Sequence, residues 1–215
     1  MLEHGAWADS SSWNGVVLRL QLLGYTVDVP PNPLRSLPAD AAYLADYLKT
    51  ISGPIVLVGH SYGGAVITNA ATGDSQVKAL VYDDAFIPDL GQTLQQLATA
   101  VPGSCVAPAD PSTVFNFVPY PGGPANDVDV YIKQSVFPGC LADGLPARQA
   151  AVLAATQLPL AASVLSEPSG PRPGRRYRPG PWSAPPTTPS CPPSRSPWPS
   201  TRVLTSSRST LRTCP

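Results

Sequence analysis

The stretch Gly53-Pro54-Ile55-Val56-Leu57-Val58-Gly59-His60-Ser61-Tyr62-Gly63-Gly64 decides how this 215-residue chain is read. A β-branched and apolar run, Ile55 to Val58, feeds a serine flanked by glycines and then a helix-compatible segment, Ala65 to Thr72. The order is strand, sharp turn, helix. A nucleophilic serine needs an exposed hydroxyl, and Gly59 and Gly63 in G-x-S-x-G spacing remove the side chains that would collide where strand and helix meet. Ser61 is therefore expected on that turn as the nucleophile. The first backbone N–H groups of the following helix point into the same space, so the N–H of Tyr62 is a candidate donor to a developing oxyanion. The bland alternative is a solvated serine in a glycine loop; the buried-strand run before it weighs against that.

Outside this stretch, composition sets the bounds. A chain of this length with 43% hydrophobic residues can bury one good core, so a single domain is expected. No apolar run reaches the roughly 18 residues that span a bilayer, and no charged start, apolar middle and cleavage site marks export. A cytoplasmic protein without membrane contact is the expectation. The formal net charge of zero conceals an asymmetry: all 14 acids precede Pro171, while eight of the 14 Lys and Arg follow Gly170, giving −8 in the body and +8 in the tail. Four cysteines, Cys105, Cys140, Cys191 and Cys214, show no metal-ligand spacing, so neither metal nor cofactor is expected. A Cys105–Cys140 disulfide is open, with nothing in the sequence requiring it.

Taken in order, the chain begins with Met1-Leu2-Glu3 and passes at once into the turn His4-Gly5-Ala6-Trp7, with no strand legible before it. Ser12 is placed to cap a helix with Trp13, Val16, Val17, Leu20 and Leu23 on one face, ended by Gly24. Tyr25 to Val29 reads as a short strand stopped by Pro30, Pro31 and Pro33, and Leu37 to Ile51 as a helix leading to the central strand. Val77 to Tyr82 is the next strand. Strands alternating with helices predict a mostly parallel sheet with helices on both faces. Asp83-Asp84-Ala85-Phe86-Ile87-Pro88-Asp89 follows at a strand C-terminus, where ligands of open α/β sheets bind.

Residues 1–90 form the first part of the core in this reading. Residues 91–170 loosen into short helical pieces, Thr93 to Ala100, Val128 to Phe137 and Pro146 to Ala155, separated by Pro/Gly stretches. These are expected to form a small helical lid, with Phe115, Phe117, Tyr120 and Tyr131 as lining or as plain packing.

At this point the residues resemble the α/β-hydrolase superfamily, in the small esterase branch that is also similar to plant methylesterases and hydroxynitrile lyases. The resemblance rests on His4-Gly5-Ala6-Trp7 with Trp13, on Gly59-His60-Ser61-Tyr62-Gly63-Gly64, and on Asp84-Ala85-Phe86-Ile87-Pro88-Asp89, and it runs from His4 to about Gly170. It implies the α/β-hydrolase fold, Ser61 as nucleophile, and the N–H groups of Ala6 and Tyr62 as oxyanion donors. The related lyases usually carry threonine at the place of Ala6, so the resemblance favours an esterase acting on small esters. It also implies an apolar strand before His4, so the fold is expected to be incomplete at both ends.

A serine of this kind needs a base, and the family order is Ser, then Asp, then a late His. The only histidines are His4 and His60. The first belongs to the oxyanion loop and the second precedes Ser61 on the strand, facing away from the pocket, so both are expected to be structural. Asp83 and Asp84 have no base to orient. The gap coincides with residues 171–215, which hold twelve of the 28 prolines, eight arginines and no acid, a composition that cannot form a packed core and is expected to be disordered. The genetic code offers a sharper reading of that tail. Codons built from the last base of each residue and the first two of the next permit Val-Val-Gly-Thr-Ala-Asp-His from Pro181 to Thr188, given a TCN codon for Ser183. The same operation permits Val-Val-Glu-Val-Asp-Ala-Ser-His-Val from Thr205 to Cys214. An Asp and a His then stand at the junctions Pro186/Thr187 and Arg212/Thr213. The tail is read as an out-of-frame continuation from near Gly170.

Two functions remain in view. One is a serine hydrolase of small esters, impaired because the triad histidine is absent, with no cofactor. The other is a non-catalytic pseudoenzyme or ligand-binding remnant with the same pocket. Nucleic-acid binding by the basic tail is set aside, because its arginines lack regularly spaced stacking aromatics; the oligomeric state is not legible.

Overall fold

The computed structural model describes residues 1–120, 123–124 and 127–173, and the backbone of residues 203–205. The expected disordered, out-of-frame tail lies outside the described residues except at its first three positions and at 203–205.

The chain opens with a two-residue strand, β1 (Leu2–Glu3), where the sequence showed none. It pairs in parallel with β2 (Ile55–His60), with Leu2 opposite Val58 and Glu3 opposite Gly59. The Met1 ammonium donates to the Val56 carbonyl at 2.9 Å, and the Val58 N–H to the Met1 carbonyl at 3.0 Å. A 3-10 turn, Ser10–Trp13, then leads into α1 (Asn14–Leu22). The cap is Asp9, whose carboxylate accepts from the Ser11 N–H at 2.7 Å, and not Ser12. The apolar face expected for this helix is not packed: Trp13 just before it is buried, but α1 itself buries no residue. Tyr25 to Val29, expected as a strand, forms no regular secondary structure. Its one ladder-like bond runs from the Leu2 N–H to the Asp28 carbonyl at 2.9 Å, because a two-residue β1 offers too short an edge to pair with.

The helix α2 (Leu37–Leu48) buries Leu37, Ala41, Leu44 and Leu48, the 3.6-residue spacing read from the sequence. β2, α3 (Tyr62–Ala70) and β3 (Val77–Asp83) follow as expected, β2 and β3 parallel with Leu57 opposite Leu80 and Gly59 opposite Tyr82. α3 is buried along most of its length, so α2, α3 and the inward residues Ile55, Leu57, Leu80 and Tyr82 make one core. The opposite side of β2 is barer. Val56 is 48% exposed, and His60 on the same side meets Trp13 edge-on at 6.5 Å. β7 (Val203–Thr205) completes a sheet of order β1-β2-β3-β7 by pairing antiparallel with β3, Leu80 opposite Leu204.

Residues 91–170 are less helical than the sequence indicated. α4 (Leu94–Thr99) carries a capping box, with the Thr93 hydroxyl and Gln96 side chain each bonded to the other's backbone. Val128 to Phe137, read as a helix, is instead β5 (Asp129–Ile132) and a turn into α5 (Phe137–Leu141). β5 is the middle of an antiparallel sheet, between β4 (Phe115–Val118) and β6 (Leu160–Ala161), with α6 (Ala147–Thr156) before β6. Four residues, Asp129-Val130-Tyr131-Ile132, are too few to distinguish a strand from a helical turn by period, and the β-branched Val130 and Ile132 favour the strand. A disulfide joins Cys105 to Cys140, Cα atoms 5.7 Å apart, and ties the segment after α4 to α5. Among the described residues no helix is long and apolar enough to cross a membrane.

Candidate active site

Ser61 lies between β2 and α3 with φ +51° and ψ −120°, a backbone conformation side-chain-bearing residues seldom adopt. The turn is held because the Ser61 carbonyl accepts from the Gly64 N–H and the Phe86 N–H, both at 3.0 Å. Its closeness explains the glycines: a Cβ on Gly59 would lie 2.6 Å from the Gly63 carbonyl oxygen, and one on Gly63 would lie 2.5 Å from that of Glu3. Neither contact is possible for any other residue. The strand, the turn and β1 are packed backbone to backbone here.

The second loop comes to the same place. A Cβ on Gly5 would lie 2.7 Å from the Cβ of Ser61, so the Gly5-Ala6-Trp7 turn rests directly on the serine. Trp7 takes φ +58°, and its cost is met by anchoring: the indole N–H donates to the Val130 carbonyl at 2.9 Å, and the ring stacks on Phe115 at 5.7 Å. Asp84, at the end of β3, also has a positive φ, +41°. Among the described residues, three of the four non-glycine positions with positive φ, Trp7, Ser61 and Asp84, therefore sit where the turns after β1, β2 and β3 converge. Strain concentrated in this way is a feature of functional sites.

His4 is fully buried and holds the first of these turns. Its Nε2 accepts from the Asn32 N–H at 3.0 Å, so the proton sits on Nδ1, which donates to the Gly5 carbonyl at 3.0 Å. The Asn32 side-chain amide donates back to the His4 carbonyl at 3.1 Å. Burial pushes the imidazole pKa down, in keeping with a neutral ring used as a strut. His60 has its ring beside Trp13. Among the described residues no hydrogen bond joins either ring to Ser61, and Asp83 and Asp84 have no imidazole bonded to them.

Several supports escaped sequence reasoning. The Tyr62 hydroxyl donates to Asp40 Oδ2 at 2.8 Å, both groups buried, and Asp40 also accepts from the Arg35 N–H. The Asp40 to Tyr62 bond fixes the residue whose N–H was singled out. An aspartate on the apolar face of α2 was the available signal. The Arg35 guanidinium pairs with Asp129 and lies over the Tyr120 ring at 4.9 Å, linking the α2 entrance to the second sheet. No cluster of His, Cys, Asp or Glu among the described residues has the make-up of a metal site. A surface groove of about 400 Å³ is lined by Asn116, Val118, Tyr131 and Gln157, on the β4–β5–α6 region and away from Ser61.

Comparison with known proteins agrees with this architecture. A carbendazim-hydrolyzing esterase from Nocardioides sp. (strain SG-4G) is 31% identical over 110 residues, which is 45% of this chain and 46% of that protein; the match spans about half the length of the relative. Three solved structures share the fold. An extracellular α/β-hydrolase from a Paenibacillus species has 22% identity and a TM-score of 0.59, over 79% of this chain and 69% of that one. A methylesterase from Arabidopsis has 14% identity and a TM-score of 0.59, over 81% and 71%. A pyrethroid hydrolase from Sphingobium faniae JZ-2 has 22% identity and a TM-score of 0.54, over 81% and 72%. A sequence profile described as alpha/beta hydrolase family matches residues 1–211, and with the converging turns around Ser61 this makes the chain a member of the alpha/beta hydrolase family.

Proposed function

We propose that this chain carries the site of a serine hydrolase for small esters, with Ser61 as nucleophile and the backbone N–H groups of Ala6 and Tyr62 as oxyanion donors. The supporting observation is the contact of the Gly5 turn with Ser61 at its strained position, which leaves room for no side chain between them. In the reaction the Ser61 oxygen bonds to the acyl carbon, its proton passes to a base, and the negative charge developing on the carbonyl oxygen is met by the two N–H groups. In this reading neither histidine is that base: His4 is committed to Asn32 and Gly5, and among the described residues no hydrogen bond joins His60 to Ser61. Turnover as written is therefore slow. In this proposal the in-frame partners are the Asp and His permitted by the shifted reading of residues 171–215. The second reading, a ligand-binding remnant, draws on a different observation: among the described residues no bond joins either imidazole to Ser61. The Cys105–Cys140 disulfide weighs against the cytoplasmic placement expected from the sequence, because such bonds persist in oxidising compartments.

Intact-mass spectrometry after treatment with an alkyl fluorophosphonate tests the site assignment. Slow addition of one phosphonyl group, mapped to Ser61 and absent in Ser61→Ala, is expected. Modification elsewhere, or equal modification of Ser61→Ala, contradicts it.

A further inference from the structure

One buried group near Ser61 has no part in the chemistry above. Glu3 is 2% exposed, and its Oε2 has no hydrogen-bond partner among the described residues. It belongs to β1, whose backbone touches the Ser61 turn at Gly63. The groups around it are acidic or neutral. Asp40 on α2 is 1% exposed and adds like charge; Tyr62 on α3 feels Asp40, Glu167 and Glu3 together; His4, next in the chain, is neutral. Glu167, after β6, accepts from the Leu37 N–H at the start of α2. Of the cations in this region, the Met1 ammonium donates to the Val56 carbonyl, and Arg35 is turned to Asp129 and gives Asp40 only its backbone N–H. An ionised Glu3 would thus put charge on a buried Oε2 that no donor meets, beside another carboxyl.

We propose that Glu3 is a positioning residue: while its carboxyl holds a proton it lets β1 and the Gly5–Ala6 turn stay seated against Ser61, and its ionisation releases them. β1 is the element that yields. It has two residues and is held by the Met1, Leu2 and Val58 backbone bonds, whereas α3 on the other side is buried along its length. Burial first, and Asp40 second, push the Glu3 carboxyl up to about 8. The sign follows from linkage. With the folded value above the unfolded one, the stabilising contribution is fully present below about 4.5 and is lost as pH rises to about 8. Over that range the loop-open population grows about tenfold per pH unit, then levels off. Above it the seating of the Ala6 N–H at Ser61 is at its weakest. The catalytic consequence rests on the oxyanion role given to Ala6; the movement does not.

The chain has only two glutamates, Glu3 and Glu167, so labelling the full-length protein with carboxyl-¹³C glutamate gives two resonances, assigned with Glu167→Gln. The Glu3 signal is expected to titrate near pH 8, and Asp40→Asn to move its midpoint down by removing the like charge. Amide exchange at Gly5–Ala6, corrected for its intrinsic pH dependence, is expected to lose protection about tenfold per unit between pH 6 and 8 and to become flat in Glu3→Gln. A Glu3 midpoint near 4.5 overturns the proposal, as does protection that is flat in the parent or equally steep in Glu3→Gln. Should Glu3→Gln not fold, the Glu3 titration and its response to Asp40→Asn still decide. None of these readings depends on turnover, so a titrating Glu3 in a protein whose Ser61 takes up no phosphonyl group refutes only the esterase proposal.

Discussion

Ser61 keeps φ +51° although it carries a side chain, so the turn stores backbone strain that a glycine would not. Such strain is of the order of 1–3 kcal/mol, and the added chain entropy of a glycine takes back roughly 0.5–1 kcal/mol. Ser61→Gly is therefore expected to raise stability by about 1 kcal/mol in urea unfolding while removing any Ser61-dependent reactivity. A loss of stability would show that the turn is relaxed. His4 gives a second test at this scale. Its folded pKa is depressed by burial, so its contribution is present above about pH 6.5 and is lost as pH falls through the folded value. The His4 ring protons are expected to titrate below 6.5 or only on acid unfolding; a midpoint at or above 6.5 contradicts the Nδ1–H strut. The turn at Ser61 was legible because the glycines that let it form, Gly59 and Gly63, are adjacent to it in sequence. Glu3, Asp40 and Asn32 were not, because their partners lie on other elements: Tyr62 is 22 residues from Asp40, and Asn32 is 28 from His4.

Among the elements, α2 was legible from its 3.6-residue spacing, β2 from its β-branched apolar run, and α3 from the glycine-flanked turn that feeds it. Short elements failed. β1 has two residues, and β5 presents four that fit either period. α1 shows the opposite error, since its apolar spacing predicted a packed face that the described residues do not cover. The disulfide is the firmest tie between elements of the 91–170 region. Closing a 35-residue separation removes unfolded-state entropy worth about 3–4 kcal/mol, so Cys105→Ser with Cys140→Ser is expected to cost stability of that order. A cost under about 1 kcal/mol, measured beside a parent shown by mass spectrometry to be oxidised, would mean that the bond constrains little.

Across the whole molecule, one side of the sheet and α1 expose large apolar side chains: Leu22 is 78% exposed, Leu23 73%, Leu18 59% and Val56 48%. Exposed apolar groups of this kind promote association. Leu18→Lys with Leu22→Lys is expected to reduce light scattering at high protein concentration and leave the melting temperature nearly unchanged, since surface substitutions stay within about 0.5 kcal/mol. A large drop in melting temperature would show that α1 is packed in solution. The central claim, a nucleophile site without its base, is tested most directly by nitrophenyl acetate hydrolysis by four proteins: the chain as written, the chain with the shifted frame restored after Gly170, and Ser61→Ala in each. Loss of a triad histidine costs on the order of 10⁶ in kcat and leaves roughly 10³ to 10⁴ over water. The account predicts a rate barely above background as written, and recovery in the restored frame that Ser61→Ala abolishes; a normal enzyme rate as written, lost in Ser61→Ala, would contradict it and require a base within the present chain.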